Sequence, residues 1–290
     1  MRILITGGHG QLGKALQAAL SGDDVIAFGH AELDITDATS VRNTLAEAHP
    51  DAVIHSAAWT DTAGCEADPE RAVAVNADGA RNVAEACASV SAAMLHVGSN
   101  EVFDGEKGAP YVEDDPTHAI NEYGRSKLLG ENAVRETLDR HYIVRTSWLY
   151  GPGRVSFPEK ILQGALDRGS LKLVTDEIAN PTWTLDLALA IASLVRTEAF
   201  GTYHLVNEGA CSRKEWAEEI LRLSHLDVPV EAATQADFGA PSRKPVNSEL
   251  ANIRGAAIGI RLRPWQAALA EHMRHPDAEV GRILGAKATS

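Results

Sequence analysis

Tyr123-Gly124-Arg125-Ser126-Lys127 places a phenol and an amine four residues apart. On a helix that spacing puts both side chains on one face, a single turn from each other. A phenol with a pKa of about 10 exchanges protons poorly near neutrality. A neighbouring ammonium favours the phenolate and lowers that value, and a three-unit shift corresponds to roughly 4 kcal/mol. The expectation is a tyrosine acid–base group tuned by Lys127; the competing reading is a plain Tyr–Lys stack on a surface helix. A third polar group follows an apolar run, in Gly98-Ser99-Asn100-Glu101-Val102-Phe103. At the carboxyl end of a parallel strand, where doubly wound sheets keep their chemistry, the Ser99 hydroxyl could hold a carbonyl oxygen near the phenol. Equally, it could be a turn residue.

Near the start of the chain, Thr6-Gly7-Gly8-His9-Gly10-Gln11-Leu12-Gly13 has glycines at 7, 10 and 13. Glycines at this spacing between a strand and a helix serve a tight turn, a close backbone approach to a pyrophosphate, and close helix–strand packing. The pyrophosphate would sit on the free N–H groups at the helix start. The acidic residue that would hold an NAD ribose is expected about 20 residues beyond the loop, where this chain has Phe28-Gly29-His30. No carboxylate there repels a 2′-phosphate and no Arg grips one, so NADPH is preferred and NADH allowed. Glu32 and Asp34 come slightly later and could reach the adenosine, although Asp34-Ile35-Thr36-Asp37 equally reads as a helix cap.

The elements that must position these groups alternate. Apolar β-branched runs at Arg2–Thr6, Asp24–Phe28, Ala52–His55, Ala93–Val97 and Tyr142–Thr146 are separated by helical spacing at Leu12–Leu20, Val41–Ala48, Ala72–Ala88 and Leu128–Leu138. Such alternation predicts βαβ units, and unbroken apolar strands predict a parallel sheet covered on both faces. After Gly151-Pro152-Gly153 the pattern loosens: helix Pro158–Leu166, strand Leu171–Val174, helix Thr184–Val195, strand Thr202–Val206, helix Ser212–Leu223, a loop-rich stretch to Val246, and helix Pro264–Met273. The chain after His275 is expected to be a polar, fraying tail.

The chain has 290 residues, 44% of them hydrophobic, and a formal charge of −13. This length fits one large or two modest domains with a real core. The acidic balance argues against a nucleic-acid partner and means that anionic ligands must be held by local devices. The longest largely apolar run, Leu187 to Val195, is nine residues, against the roughly 20 that span a bilayer. Met1 to Thr6 runs straight into the glycine loop, as expected of a chain that uses this segment in its fold rather than as a secretory leader. Cys65, Cys87 and Cys211 offer neither disulfide nor zinc spacing and are expected to be reduced thiols in the cytoplasm. His272 and His275 read as solvated residues rather than ligands, and no metal site is expected.

Taken together, these motifs resemble the dTDP-4-dehydrorhamnose reductase family of extended short-chain dehydrogenase/reductases. The resemblance runs from about Met1 to Met273. It is carried by the glycine loop in its Gly-Gln-Leu-Gly form, Leu33–Asp37, Ala57-Ala58-Trp59-Thr60, Val75-Asn76, Val102-Phe103-Asp104-Gly105 and Tyr123–Lys127. Arg145–Gly151, Asn180-Pro181-Thr182, Tyr203-His204-Leu205 and Asn247-Ser248-Glu249-Leu250 extend it. It implies a Rossmann-type doubly wound α/β fold with a smaller, mixed C-terminal substrate domain. The expected division is 1–150, taking back about 182–207, as the dinucleotide-binding domain; 151–181 with 208–275 as the substrate domain; and 276–290 as the tail.

The resemblance also implies NAD(P)H-dependent reduction of the C4 keto group of a nucleotide-linked 4-dehydro-6-deoxy sugar by Ser99, Tyr123 and Lys127. Gly7, Gly10, Gln11, Leu12, Gly13, Asp34, Ile35, Ala57, Ala58 and Asn76, together with Tyr123 and Lys127, would bind the cofactor. Asn100 and Trp148 would line the sugar pocket. Arg243 and Lys244 read as contacts for the nucleotide diphosphate or, equally, as solvated surface charge. The family usually has Ser-Thr-Asp-Tyr-Val-Phe where this chain has Gly98 to Phe103; the hydroxyl survives as Ser99, the acid becomes Asn100 and the aromatic becomes Glu101. Such departures suit a related 4-keto-6-deoxy sugar. The rival readings are a sugar-nucleotide epimerase or dehydratase with tightly held NAD, and a non-catalytic subunit resembling the regulatory subunit of methionine adenosyltransferase. A homodimer is the default expectation.

Overall fold

A computed structural model of the chain describes residues 1–239 and 241–287. Five strands, β1 (Arg2–Thr6), β2 (Asp24–Phe28), β3 (Ala52–His55), β4 (Ala93–Val97) and β5 (His141–Arg145), join a sixth, Gly201–His204, in one sheet. The order is Gly201–His204, β5, β4, β3, β1, β2, and every pairing is parallel. The chain leaves β1 in one direction to β2 and returns to its other side at β3, so a crevice opens at the carboxyl ends of β1 and β3.

Both faces of β1, β3, β4 and β5 are covered, which is why these strands read as apolar runs, while the edge strand β2 is only partly buried. Ile3, Ile5, Ile54, Leu95 and Val144 face α1 (Gln11–Ala19) and the Thr184–Leu194 helix. Leu4, Val53 and Met94 face a second layer. That layer consists of α2 (Ala38–Ala48), α5 (Gly79–Val90) and α6 (Glu122–Thr137); two short helices, α3 (Thr62–Ala67) and α4 (Pro69–Val73), precede α5. The expected Ala72–Ala88 helix is interrupted by a π-helical turn at Ala74–Asp78, the kind of local rewinding that recurs at functional sites.

Two loops lead toward the crevice. Gly7 has φ +71°, and a Cβ there would come within 2.7 Å of the Ala57 nitrogen, so the turn after β1 can press against the loop after β3 only as glycine. At Gly124 a Cβ would overlap the Glu101 carbonyl oxygen, so glycine lets the 3₁₀ turn Asn100–Val102 lie directly on α6.

The smaller part has its own core of Tyr150, Leu162, Trp183, Trp216, Ile220 and Leu269. Ser212 and Glu215 form a capping box on the Arg213–Leu223 helix. Two expectations fail here. His272 is fully buried, with Nε2 2.8 Å from a Glu159 carboxylate oxygen, because its helix turns that face inward. The chain beyond His275 does not fray at once: Ala278 and Val280 enter the second core, and Val280–Lys287 is helical, with Ile283 and Leu284 on its packed face. Residues 288–290 of the expected tail lie outside the described residues.

Candidate active site

A cleft of about 370 Å³ opens over the carboxyl edge of the sheet, walled by Gly7, Gly10, Gln11, Leu12 and Gly13 on one side and by Ser99, Asn100, Tyr123, Lys127 and Trp148 on another. The sheet register accounts for part of this meeting. Val97 pairs with Val144, so Gly98–Asn100 and Thr146–Trp148 leave the sheet side by side. The Asn100 N–H bonds to the Thr146 carbonyl at 3.0 Å.

Tyr123 and Lys127 lie in the first turns of α6. Asn121 caps that helix by accepting the Gly124 N–H at 2.7 Å. Lys127 is only 2% exposed. Burial brings its ammonium down to about 8, with the Glu131 carboxylate acting in the opposite direction. Glu131 is itself held by Arg145 at 2.9 Å, a buried pair that anchors the far side of α6 to β5.

The phenol departs from expectation. Tyr123 is pushed upward, first by burial and then by the Glu101 carboxylate, while a hydrogen bond with Ser99 pulls it down. Lys127 instead acts on two imidazoles beneath the cleft. His55 and His96 stack at 5.3 Å on adjacent strands, and burial followed by the Lys127 charge drives both down, His55 to about 3.

Gly10 precedes α1 in the cap position and offers no side chain to cap it, leaving the first N–H groups of the helix for a ligand. A Cβ at Gly13 would overlap the Gly7 carbonyl oxygen, so the helix start can sit tight under the loop. Gln11 ties this loop across the cleft by bonding the Gly151 carbonyl at 2.5 Å. An uncapped helix start, a glycine cradle and a crevice at the switch in strand order fit the diphosphate of a dinucleotide.

Of the other expected cofactor residues, Ala58 lines the cleft and Ala57 backs the turn at Gly7. Asn76 is buried below, bonding the Trp59 backbone and Ser126, and so fixes the loop after β3 to α6. Ile35 packs against Gly79. Asp34 closes a turn on the Thr36 N–H and hydroxyl, and Asp37 is the residue that caps α2. Asp34, Ile35 and Asn76 are not on this cleft wall.

On the substrate side, Asn100 donates to Ser248 at 2.7 Å, which gives Asn247–Leu250 its place beside the site. Trp148 has φ +43°, a conformation rare for a bulky residue. It is clamped between the Trp216 ring, at 5.6 Å, and the Arg213 guanidinium, 3.6 Å from its centroid. Arg243 is directed to Glu106 at 3.7 Å, and the Lys244 ammonium bonds both Glu101 oxygens at 3.0 Å. Neither lines the cleft, whereas Glu101 does.

Sequence reasoning passed over Ser56, Thr60, Thr62, Thr146, Ser147 and Arg154 on the cleft wall. Thr146 and Ser147 follow β5 and were accessible to the rule that chemistry collects at strand ends. Arg154 had no signal, because only the return of its loop across α1 brings it here. Among the described residues no group of three His, Cys, Asp or Glu forms a metal-ligand set, and no helix is long and apolar enough to cross a membrane.

Residues 1–277 match the family described as RmlD substrate binding domain. The chain belongs to that family. It is 41% identical over 280 residues to a dTDP-4-dehydrorhamnose reductase of Streptomyces griseus, covering 93% of this chain and 92% of the relative. A dTDP-4-keto-6-deoxy-D-glucose reductase of Streptomyces niveus is 39% identical, covering 78% of this chain and 80% of the relative. Among solved structures, the dTDP-4-dehydrorhamnose reductase of Bacillus anthracis str. Ames in complex with NADP superposes with a TM-score of 0.92 at 35% identity, covering 94% of this chain and 98% of that one. The cleft brings a tyrosine, a lysine and a hydroxyl to one crevice, with Glu101 beside them on its wall.

Proposed function

We propose that this protein is an NADPH-dependent reductase of the C4 keto group of a nucleotide-linked 4-dehydro-6-deoxy sugar, with dTDP-4-dehydrorhamnose the leading substrate. The observation that carries the reading is the convergence of Ser99, Tyr123 and Lys127 with the uncapped start of α1 in one cleft. Gly7, Gly10, Gln11, Leu12 and Gly13 would hold the cofactor diphosphate. NADPH, or less favourably NADH, supplies a hydride when bound.

The chain's own residues do the rest. Ser99 holds the carbonyl oxygen O4, and Tyr123, kept protonated, gives its proton to that oxygen as negative charge develops there. Lys127 sits one turn further along α6 and steadies the developing charge. Asn100 and Trp148 bear on the sugar ring, and Arg154, an exposed cation on the cleft wall, meets the diphosphate. We divide the chain into a dinucleotide part, 1–150 with 182–207, and a substrate part, 151–181 with 208–275; the packing of Leu187, Ile191 and Leu205 into the core on the sheet supports the return of 182–207. A cytoplasmic setting suits the three buried free cysteines. A homodimer is our reading of the oligomeric state, checked by sedimentation.

The test is loss of reduced-nicotinamide absorbance with NADPH and NADH against dTDP-4-dehydrorhamnose and related keto-sugar nucleotides. Tyr123→Phe should lower kcat by about 10²- to 10⁴-fold while the protein still binds NADPH; near-wild-type turnover in that variant sinks the assignment. Copurifying NAD with no net NADPH consumption would point to an epimerase or dehydratase. Capture of a synthetase with no sugar-nucleotide turnover would point to a regulatory subunit.

A further inference from the structure

Glu101 lies in the turn after β4 and on the wall of the cleft. It is firmly held. The Lys244 ammonium bonds both of its oxygens at 3.0 Å, and Asn121 donates to it at 2.7 Å. Glu101 and Lys244 are 16% and 19% exposed. Asn121 also caps α6 and donates to the Arg243 carbonyl at 2.9 Å. Lys244 is fixed in turn through its backbone N–H to Gln235 at 3.1 Å, and the Gln235 N–H bonds Asp176.

We infer that Glu101 is a positioning residue for this site: an anionic strut, pinned by Lys244 and Asn121, that joins the start of α6 to the 243–248 segment and fixes a negative charge beside Tyr123. The inference rests on the reductase reading and deepens it. A carboxylate at this position opposes the phenolate, so the phenol stays in the form that gives a proton to a ketone. The fixed charge thus carries reduction to higher pH than the same site would reach without it.

The groups acting on Tyr123 are Ser99 and Glu101 from the turn after β4 and Cys65 from α3, while Lys127 lines the same cleft one turn along α6. Cys65 is pushed up to about 11 by burial and then by Asp61, and is therefore neutral in the working range. The ion pair is more shielded from solvent than an exposed surface pair, so its field is only partly screened.

The sign separates this role from simple bracing. Glu101→Gln removes the anion, lowers the phenol pKa, and brings the alkaline loss of reduction to lower pH. Lys244→Met leaves the anion uncompensated and moves that loss to higher pH. Each shift should be about half to one pH unit, a three- to tenfold change in rate on the limb. Should Lys127 rather than Tyr123 titrate there, the directions are unchanged, because an anion stabilises an ammonium as it destabilises a phenolate. A brace alone would make both variants move the same way, since each breaks the same bond.

The experiment records kcat/KM for keto-sugar reduction against pH. Alongside it, phenolate absorbance is recorded for the NADP⁺-saturated protein, with the signal of a Tyr123→Phe background subtracted. Opposite shifts support the inference; parallel shifts, or none, overturn it even if the wild type is an active reductase. The absorbance readout needs no keto sugar, so opposite shifts in a protein without reductase turnover would condemn the substrate reading and leave the strut intact. If Lys244→Met fails to fold, Glu101→Gln decides against Glu101→Asp: a downward shift in the first and none in the second supports the inference, and an unshifted Glu101→Gln overturns it.

Discussion

Tyr123 and Lys127 are displaced in opposite directions from their ordinary values, the phenol upward and the ammonium down to about 8, and burial is the leading cause for both. Withdrawal from water favours the uncharged form of each group. The lysine displacement has a consequence for folding. Between pH 8 and its ordinary 10.5, the unfolded chain holds a proton that the folded one has released, so stability rises with pH across that window. Below it, the cost of burying the charge is present in full. Lys127→Met should therefore stabilise the protein at pH 7 by about 1–3 kcal/mol while abolishing turnover. Urea midpoints should show that gain shrinking as pH approaches 10.5. An equal or lower midpoint at pH 7 would show that the ammonium is not a buried cost.

Helix α6 brings the chemistry to the crevice, and one missing methyl group lets it do so. Alanine is a better helix former than glycine by up to about 1 kcal/mol, so propensity alone recommends Gly124→Ala. The structure says the reverse, because that Cβ would overlap the Glu101 carbonyl oxygen. The turn carrying Ser99 and Asn100 would be lifted from the helix carrying Tyr123, and displacement on this scale costs catalysis up to about 100-fold. Steady-state rates with helix content followed by circular dichroism should show turnover reduced at least tenfold with α6 retained. Unchanged turnover would mean that the turn and the helix do not need their close seat.

At the scale of the molecule, a charge of −13 faces anionic ligands. Added salt should therefore speed NADPH association rather than slow it, since screening removes a repulsion; stopped-flow fluorescence across salt concentrations reads the slope. The smaller part depends on a buried couple, Glu159 with His272. Burial pushes the Glu159 carboxyl up, but the bonds from His272 and Ser156 outweigh it and hold it below its ordinary 4.5. Its contribution to stability is thus complete above pH 4.5 and lost as pH falls through the lowered value. Glu159→Gln, which loses carboxylate bonds to His272 and Ser156, should cost about 1–3 kcal/mol at neutral pH in urea unfolding, with the deficit narrowing in acid.

Local pattern was enough for β1 to β4, which match their expected bounds, because parallel strands covered by helices leave short apolar runs between turn signals. The Tyr123–Lys127 spacing was legible for a similar reason: neighbours on a helix are neighbours in sequence. What no local pattern holds is contact between distant segments. Glu101 meets Lys244 across 143 residues, Asn100 meets Ser248 across 148, and His272 meets Glu159 across 113. The sequence by itself determined the layered sheet and the identity of the reacting groups, since both rest on periodicity along the chain. Only the tertiary structure decided the charge around the phenol, because that charge is the sum of fields from elements brought together by folding.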